Sequence, residues 1–165
     1  MKKIVMLLCA SFIVLAASAQ IEKGTILAGA SSNLGFNSYN PSGSNSTSTT
    51  VFNLDVKGGY FFIDNLAGGI KLGFNRVSTG GTSYGTTTVG VFGRYYVQGK
   101  FFLGAGINSV SPSSGSSSIE VPLEAGYAAF INKNIAVEPA LNFTKYDGGS
   151  VFGLNVGFTL YLNRN

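Results

Sequence analysis

Histidine is absent from all 165 residues, and cysteine occurs once, as Cys9. Without histidine there is no Ser-His-Asp or Cys-His nucleophilic site, none of the usual imidazole metal ligands, and not the commonest general base, so an enzyme is not expected. Charge is scarce too. Asp, Glu, Lys and Arg make up 11% of the chain, against roughly 25% in an ordinary soluble domain, so little of it is built to face bulk water. Long apolar runs are also lacking. The one from Ile4 to Ala17, broken by Ser11, is shorter than the ~20 residues that carry a helix across a bilayer, and no second run follows.

That run is instead placed as a leader would be. Lys2 and Lys3 precede it, and the small residues Ala17-Ser18-Ala19 stand before Gln20. Residues 1–19 are therefore expected to be a secretory signal peptide cleaved after Ala19, exported through the Sec pathway. Cys9 lies inside it, after Leu8 and too early to take a lipid, so the mature chain, 20–165, is expected to lack disulfides. Loss of Lys2 and Lys3 leaves 9 of the 11 Lys and Arg against 7 Asp and Glu, a net of +2, which gives no reason to expect nucleic acid as a partner. No proline-rich linker divides these residues, so one domain is expected.

What is present is alternation. In Phe152 to Leu162, Phe152, Leu154, Val156, Phe158, Leu160 and Leu162 share one face, and Gly153, Asn155, Gly157, Thr159 and Tyr161 share the other. Seven more such segments are expected at 25–37, 50–62, 66–76, 84–97, 101–109, 117–129 and 135–143. In the first, Ile26, Ala28, Ala30, Leu34 and Phe36 form the apolar face. Short connections at 63–65, 98–100 and 131–134 alternate with longer stretches rich in Ser, Thr, Asn and Gly at 38–49, 77–83, 110–116 and 144–149. Mean hydropathy is +0.27. Together these features predict an all-β fold, an eight-stranded antiparallel up-and-down transmembrane β-barrel, with its short turns on the periplasmic rim.

A soluble lipocalin-like lipid-binding barrel would show the same alternation with the apolar face turned inward. Two patterns oppose it. Most glycines, among them Gly59, Gly69, Gly90, Gly104, Gly106, Gly126 and Gly157, fall on the polar face, where a narrow lumen needs small side chains. Aromatics form two tiers, Tyr60, Phe62, Tyr95, Phe101 and Tyr127 near the short-turn rim and Phe36, Phe52, Phe74, Phe143 and Phe152 near the other, as the two interfaces of a bilayer favour.

Gly59-Tyr60-Phe61-Phe62-Ile63-Asp64-Asn65-Leu66, Arg94-Tyr95-Tyr96 and Phe130-Ile131-Asn132-Lys133-Asn134 give the mature chain a resemblance to small outer-membrane barrels of the OmpA/OmpX type, in the porin-like form common in Bacteroidetes. In that family the last strand carries an assembly signal, which Asn155, Gly157, Leu160 and Leu162 match; here the chain runs on through Asn163, Arg164 and Asn165. The resemblance implies a monomer in the bacterial outer membrane, with outer-membrane lipid, lipopolysaccharide and the assembly machinery as partners and no cofactor. Larger relatives append a peptidoglycan-binding domain, which is not expected here. The related palmitoyl-transferring barrels need a histidine that is missing here.

One charged constellation falls on the polar face: Asp55, Lys57, Lys71 and Arg94 from strands two to four and Glu120, Glu124 and Glu138 from strands six and seven. In a low-dielectric tube they are expected to pair across the axis, because an unpaired buried charge costs several kcal/mol. Such a network would plug the lumen of a barrel with a structural or surface-interaction role, or else gate a narrow low-conductance porin for ions or small solutes.

Overall fold

The structure, a computed structural model, describes residues 21–31, 35–39 and 49–164. The expected signal peptide, Leu34 and most of the 38–49 connection lie outside them, as does the Phe36 side chain. Ten β-segments follow one another: β1 (Ile26–Ser31), β2 (Gly35–Tyr39), β3 (Thr49–Ile63), β4 (Leu66–Thr79), β5 (Thr82–Val97), β6 (Phe101–Pro112), β7 (Ser118–Tyr127), β8 (Ala129–Phe130), β9 (Ile135–Tyr146) and β10 (Gly149–Leu162). β1 and β2 both lie along β3, and β7 and β8 both lie along β9, so the ten segments make eight staves. Every neighbour is antiparallel, and β1 pairs with β10 on one side and β3 on the other, which closes the barrel.

The registers fix its slant. Starting at Leu162, the paired residues run Ile26, Tyr60, Gly68, Gly93, Ala105, Leu123, Phe143 and back into β10 at Phe152, ten residues from the start. With strands ~4.8 Å apart and ~3.3 Å per residue, an offset of ten over eight staves tilts them roughly 40° from the axis. All these residues lie on the outer face. That face is apolar: Leu154 is 71% exposed, Leu103 60%, Phe158 60% and Ile107 55%. A soluble lipid carrier hides such residues in its cavity, whereas a bilayer-spanning barrel turns them outward, so the lipocalin-like arrangement is excluded. On β3, Phe52 of one aromatic tier and Tyr60 of the other are eight residues apart, about 20 Å along the axis at this tilt.

The longer connections expected at 77–83 and 144–149 are in fact two-residue turns. β4 and β5 run on to Thr79 and Thr82, joined by Gly80 and Gly81 at φ 58° and 85°, and β9 and β10 meet across Asp147 and Gly148. Ser- and Thr-rich sequence there is strand that continues past the apolar belt. Cross-strand contacts such as Thr49 to Thr79 (3.0 Å) and Ser78 to Ser83 (2.8 Å) stitch hydroxyls together. A paired strand leaving the bilayer can change its side chains from apolar to polar without breaking its ladder, so composition there reports the solvent more than the backbone.

Pro122 and Pro139 sit inside strands, where a missing N–H matters. The β6–β7 ladder skips from Ala105 opposite Leu123 to Asn108 opposite Glu120, a gap facing Pro122. The sixth stave likewise breaks between Gly126 and Ala129, across from Pro139.

Two glycines give a paired test. A Cβ on Gly69 would collide with the carbonyl oxygen of Gly58, whereas one on Gly58 meets nothing within 4 Å. Gly69→Ala is expected to lower the urea midpoint in detergent by the equivalent of about 2 kcal/mol, and Gly58→Ala to leave it in place.

Candidate functional site

The lumen is stacked in layers. At the rim of the 64–65, 98–100 and 131–134 connections, aromatic side chains from four strands point inward: Phe61 from β3, Tyr96 from β5, Phe102 from β6 and Tyr161 from β10, each no more than 1% exposed. Phe61, Tyr96, Phe102 and Tyr161 contact one another at ring-centroid distances of 5.5 to 6.2 Å. Leu27, Ala67, Ala136 and Ala140 fill between them. Ile21 closes the layer from below, its N–H donating to Asn65 Oδ1 (3.1 Å) and its carbonyl accepting from the Asn65 N–H (2.8 Å).

This aromatic floor was not foreseen. The sequence reading took the inner face to be small, yet the glycines are sockets for rings. A Cβ on Gly126, the residue opposite Phe102 in the ladder, would strike the tip of that ring; one on Gly59 would lie 3.1 Å from the Phe92 ring. An inward aromatic directly across from a glycine is the signal that could have revealed it.

Charge sits on this floor. Arg94 of β5, 1% exposed, spreads its guanidinium over the Phe102 ring at 3.9 Å. Its Nε and Nη2 donate to Glu124 Oε1 (2.8 and 2.7 Å), and its Nη1 donates to Glu138 Oε2 (2.7 Å) and to the Tyr96 hydroxyl (3.0 Å). Glu138 is held from its other oxygen by the Tyr161 hydroxyl (2.5 Å), which also lies 2.9 Å from the Tyr96 hydroxyl. Lys57 approaches Glu138 Oε2 at 3.8 Å. One cation thus bridges two carboxylates from different staves, and two phenols saturate what remains, so the buried charges are both paired and hydrogen-bonded.

The other expected charges stand higher. Lys71 lies 4.0 Å from Asp55 on the adjacent strand rather than across the axis. Among the described residues Glu120 makes no ion pair, and it lines the upper lumen beside Asn53, Asn75 and Asn108. Asn75 Nδ2 donates to Asn53 Oδ1. Between the two levels is a cavity of ≈ 90 Å³ lined by Asp55, Lys57, Lys71, Asn108, Glu124 and Asn155 among others. Of the residues matched to the assembly signal, Asn155 faces this cavity, while a Cβ on Gly157 would lie 3.3 Å from the Ala30 carbonyl. Leu160 and Leu162 are on the outer face opposite Ala28 and Ile26. No three acidic or cysteine side chains come together as metal ligands among the described residues.

A closed barrel with an oily exterior and a charged, filled interior belongs structurally to the transmembrane β-barrel class. No protein-family model matches the chain, and no curated protein sequence does. Among solved structures it is similar to a de novo designed transmembrane β-barrel, with 14% identity and a TM-score of 0.48 over 86% of this chain and 98% of that one. It is also similar to OmpT of Vibrio cholerae, an outer membrane protein. The loop L8 deletion form gives 17% identity and a TM-score of 0.40 over 84% of this chain and 49% of that one, and the outer-membrane expressed form gives 15% and 0.38 over 82% and 51%. The chain spans about half the length of the OmpT structures. The barrel assignment rests on this chain's own strand registers.

Arg94→Ala leaves the buried Glu138 with only the more distant Lys57 as a cation, and breaking one side of a buried pair costs ~3–5 kcal/mol; Lys145→Ala, on the exposed outer surface, is expected to change stability by less than ~0.5 kcal/mol. Tyr161→Phe removes only the hydroxyl at 2.5 Å from Glu138, and a hydrogen bond to a charged group is worth about 1.5–3 kcal/mol. Urea titrations in detergent rank the three; equal effects from Arg94→Ala and Lys145→Ala would refute the interior network as a source of stability.

Proposed function

We propose that the chain is an integral protein of the bacterial outer membrane, of the small OmpA/OmpX-like kind, exported through the Sec pathway by a signal peptide, residues 1–19, that is then removed. Its role is structural or one of surface contact, as a monomer whose lumen is plugged. The observation that carries the reading is the floor: four inward rings at 1% exposure or less, with Arg94 and Glu138, themselves 1% and 2% exposed, laid across them. An ion crossing here would have to part the aromatics and break the Arg94 bridge together. The interior above the floor is then a dead-end vestibule open toward the rim of Gly80–Gly81 and Asp147–Gly148. The residues matched to an assembly signal, Asn155, Gly157, Leu160 and Leu162, would present the last stave to the outer-membrane assembly machinery.

The porin reading shares the fold and differs only in whether the floor opens, so conductance separates the two. In planar bilayers the wild-type protein is expected to give no steady current. Phe61→Ala combined with Tyr161→Ala, which removes two of the four rings of the floor, is expected to give small discrete steps. Steady wild-type conductance altered by Arg94→Ala or Glu138→Gln would establish the channel instead. Faster gel migration of the unboiled than of the boiled protein in outer-membrane fractions checks the barrel and its location.

A further inference from the structure

The lumen sets three cations, Lys57, Lys71 and Arg94, against four carboxylates, Asp55, Glu120, Glu124 and Glu138. Ion pairs use all of them but one: Arg94 takes Glu124 and Glu138, Lys57 approaches Glu138, and Lys71 lies 4.0 Å from Asp55. Glu120 is left over. It is half-buried in the upper lumen, where a charge without a counter-charge is costly to keep.

The registers explain why no resident cation reaches it. One row around the wall runs Lys71, Gly90, Asn108, Glu120 and Tyr146, on β4, β5, β6, β7 and β9. Lys71 and Glu120 are three staves apart in that row, ~14 Å along the wall at ~4.8 Å per strand, whereas Asp55 is on the strand next to Lys71. Gly90 carries no side chain, and the Asn108 amide lies in the space so left, since a Cβ on Gly90 would strike Asn108 Oδ1.

Asn108 points the same way. It is only 4% exposed and lines both the ≈ 90 Å³ cavity above the floor and the chamber over it, yet its side chain makes no hydrogen bond to another described residue. Buried amides are ordinarily bonded, and the neighbouring Asn53 and Asn75 bond to each other. The upper chamber, ≈ 180 Å³, also has Glu120, Thr88 and Asp55 in its wall.

We propose that this chamber binds a small organic cation with a primary ammonium, taken in from the rim of Gly80–Gly81. A primary ammonium has three N–H donors and no acceptor. The Glu120 carboxylate, the Asn108 carbonyl and the Thr88 hydroxyl offer one acceptor each, from β7, β6 and β5, and the bound charge makes the count four against four. A bare divalent metal suits the chamber less well. Calcium takes ~6–8 oxygens, while no three acidic side chains meet among the described residues and the volume exceeds that of a single ion. That the cation is held rather than passed on rests on the plugged-lumen reading above; that it binds does not.

The test is a chemical-shift titration of the full chain, folded in detergent, with ethylammonium chloride at an ionic strength held constant with potassium chloride. Saturable shifts of the Asn108 side-chain amide and the Glu120 backbone N–H are expected. Glu120→Gln, which breaks no ion pair, is expected to weaken binding about tenfold, the scale of one hydrogen bond to a charged group. Asn108→Leu removes the amide with the carboxylate in place and is expected to weaken binding too, and Asn108→Asp, which adds a second carboxylate, to tighten it. Asp147→Asn, an equal loss of charge at the turn between β9 and β10, is expected to change nothing. Shifts that never saturate in the wild type, unchanged binding in both Glu120→Gln and Asn108→Leu, or an equal loss in Asp147→Asn overturns the proposal. Planar bilayers keep the two readings apart: a silent barrel without saturable shifts removes the site alone, and a steady ethylammonium current with saturable shifts removes the plugged lumen and leaves the site.

Discussion

Closure of the hydrogen-bond ladder is the constraint on which everything else depends. A sheet in hydrocarbon cannot leave backbone N–H and C=O groups at an edge, since nothing around it can bond them. Here β1 pairs with both β3 and β10, so the first and last staves have no free edge along the paired residues. Once the ring is closed, strand number and offset together fix tilt and bore. Two prolines inside the wall are tolerated because each faces a break in the ladder rather than a partner awaiting its proton.

A bore of eight staves then dictates the interior. It is too narrow for two facing rows of large side chains, so rings are admitted where glycine lies opposite, and Phe102 facing Gly126 shows the rule. Charge is admitted on similar terms. Arg94 is tolerable at 1% exposure because Glu124, Glu138 and Tyr96 take its donors and Phe102 lies under its face. Lys71 and Asp55, higher up and partly exposed, stand 4.0 Å apart, a looser ion pair than those around Arg94, as the weaker desolvation of partly exposed charges allows.

The wall was legible in the sequence because period-two alternation is a strong signal when one side is uniformly apolar: the outward residues from Phe52 to Phe62, and from Phe152 to Leu162, could be read directly. Arg94, Glu124 and Glu138 could be placed on one face by the same counting. What could not be read was which cation reaches which carboxylate, since that depends on the offset around the ring, which no single strand contains. Phe61, Phe92 and Phe102 were missed because an inward ring breaks the apolar-out pattern and looks like noise until its glycine partner is known. Strand ends at Thr79 and Tyr146 were underestimated because Ser, Thr and Gly are equally at home in a solvated ladder and in an irregular connection.

The pairing of Ile26 with Leu162 joins the first and last staves of the barrel. It is the pairing of greatest sequence separation among the described strand registers, and topology of that kind slows folding because the closure entropy is met before the contact is made. Until the C-terminal stave arrives, the N-terminal one is an exposed, sticky ribbon in water, and Ile21 and Leu27 have no Tyr161 to pack beside. A nascent copy is consequently open to aggregation for the whole interval between synthesis and closure, and a truncation removing only the last stave would leave an aggregation-prone intermediate rather than a smaller barrel.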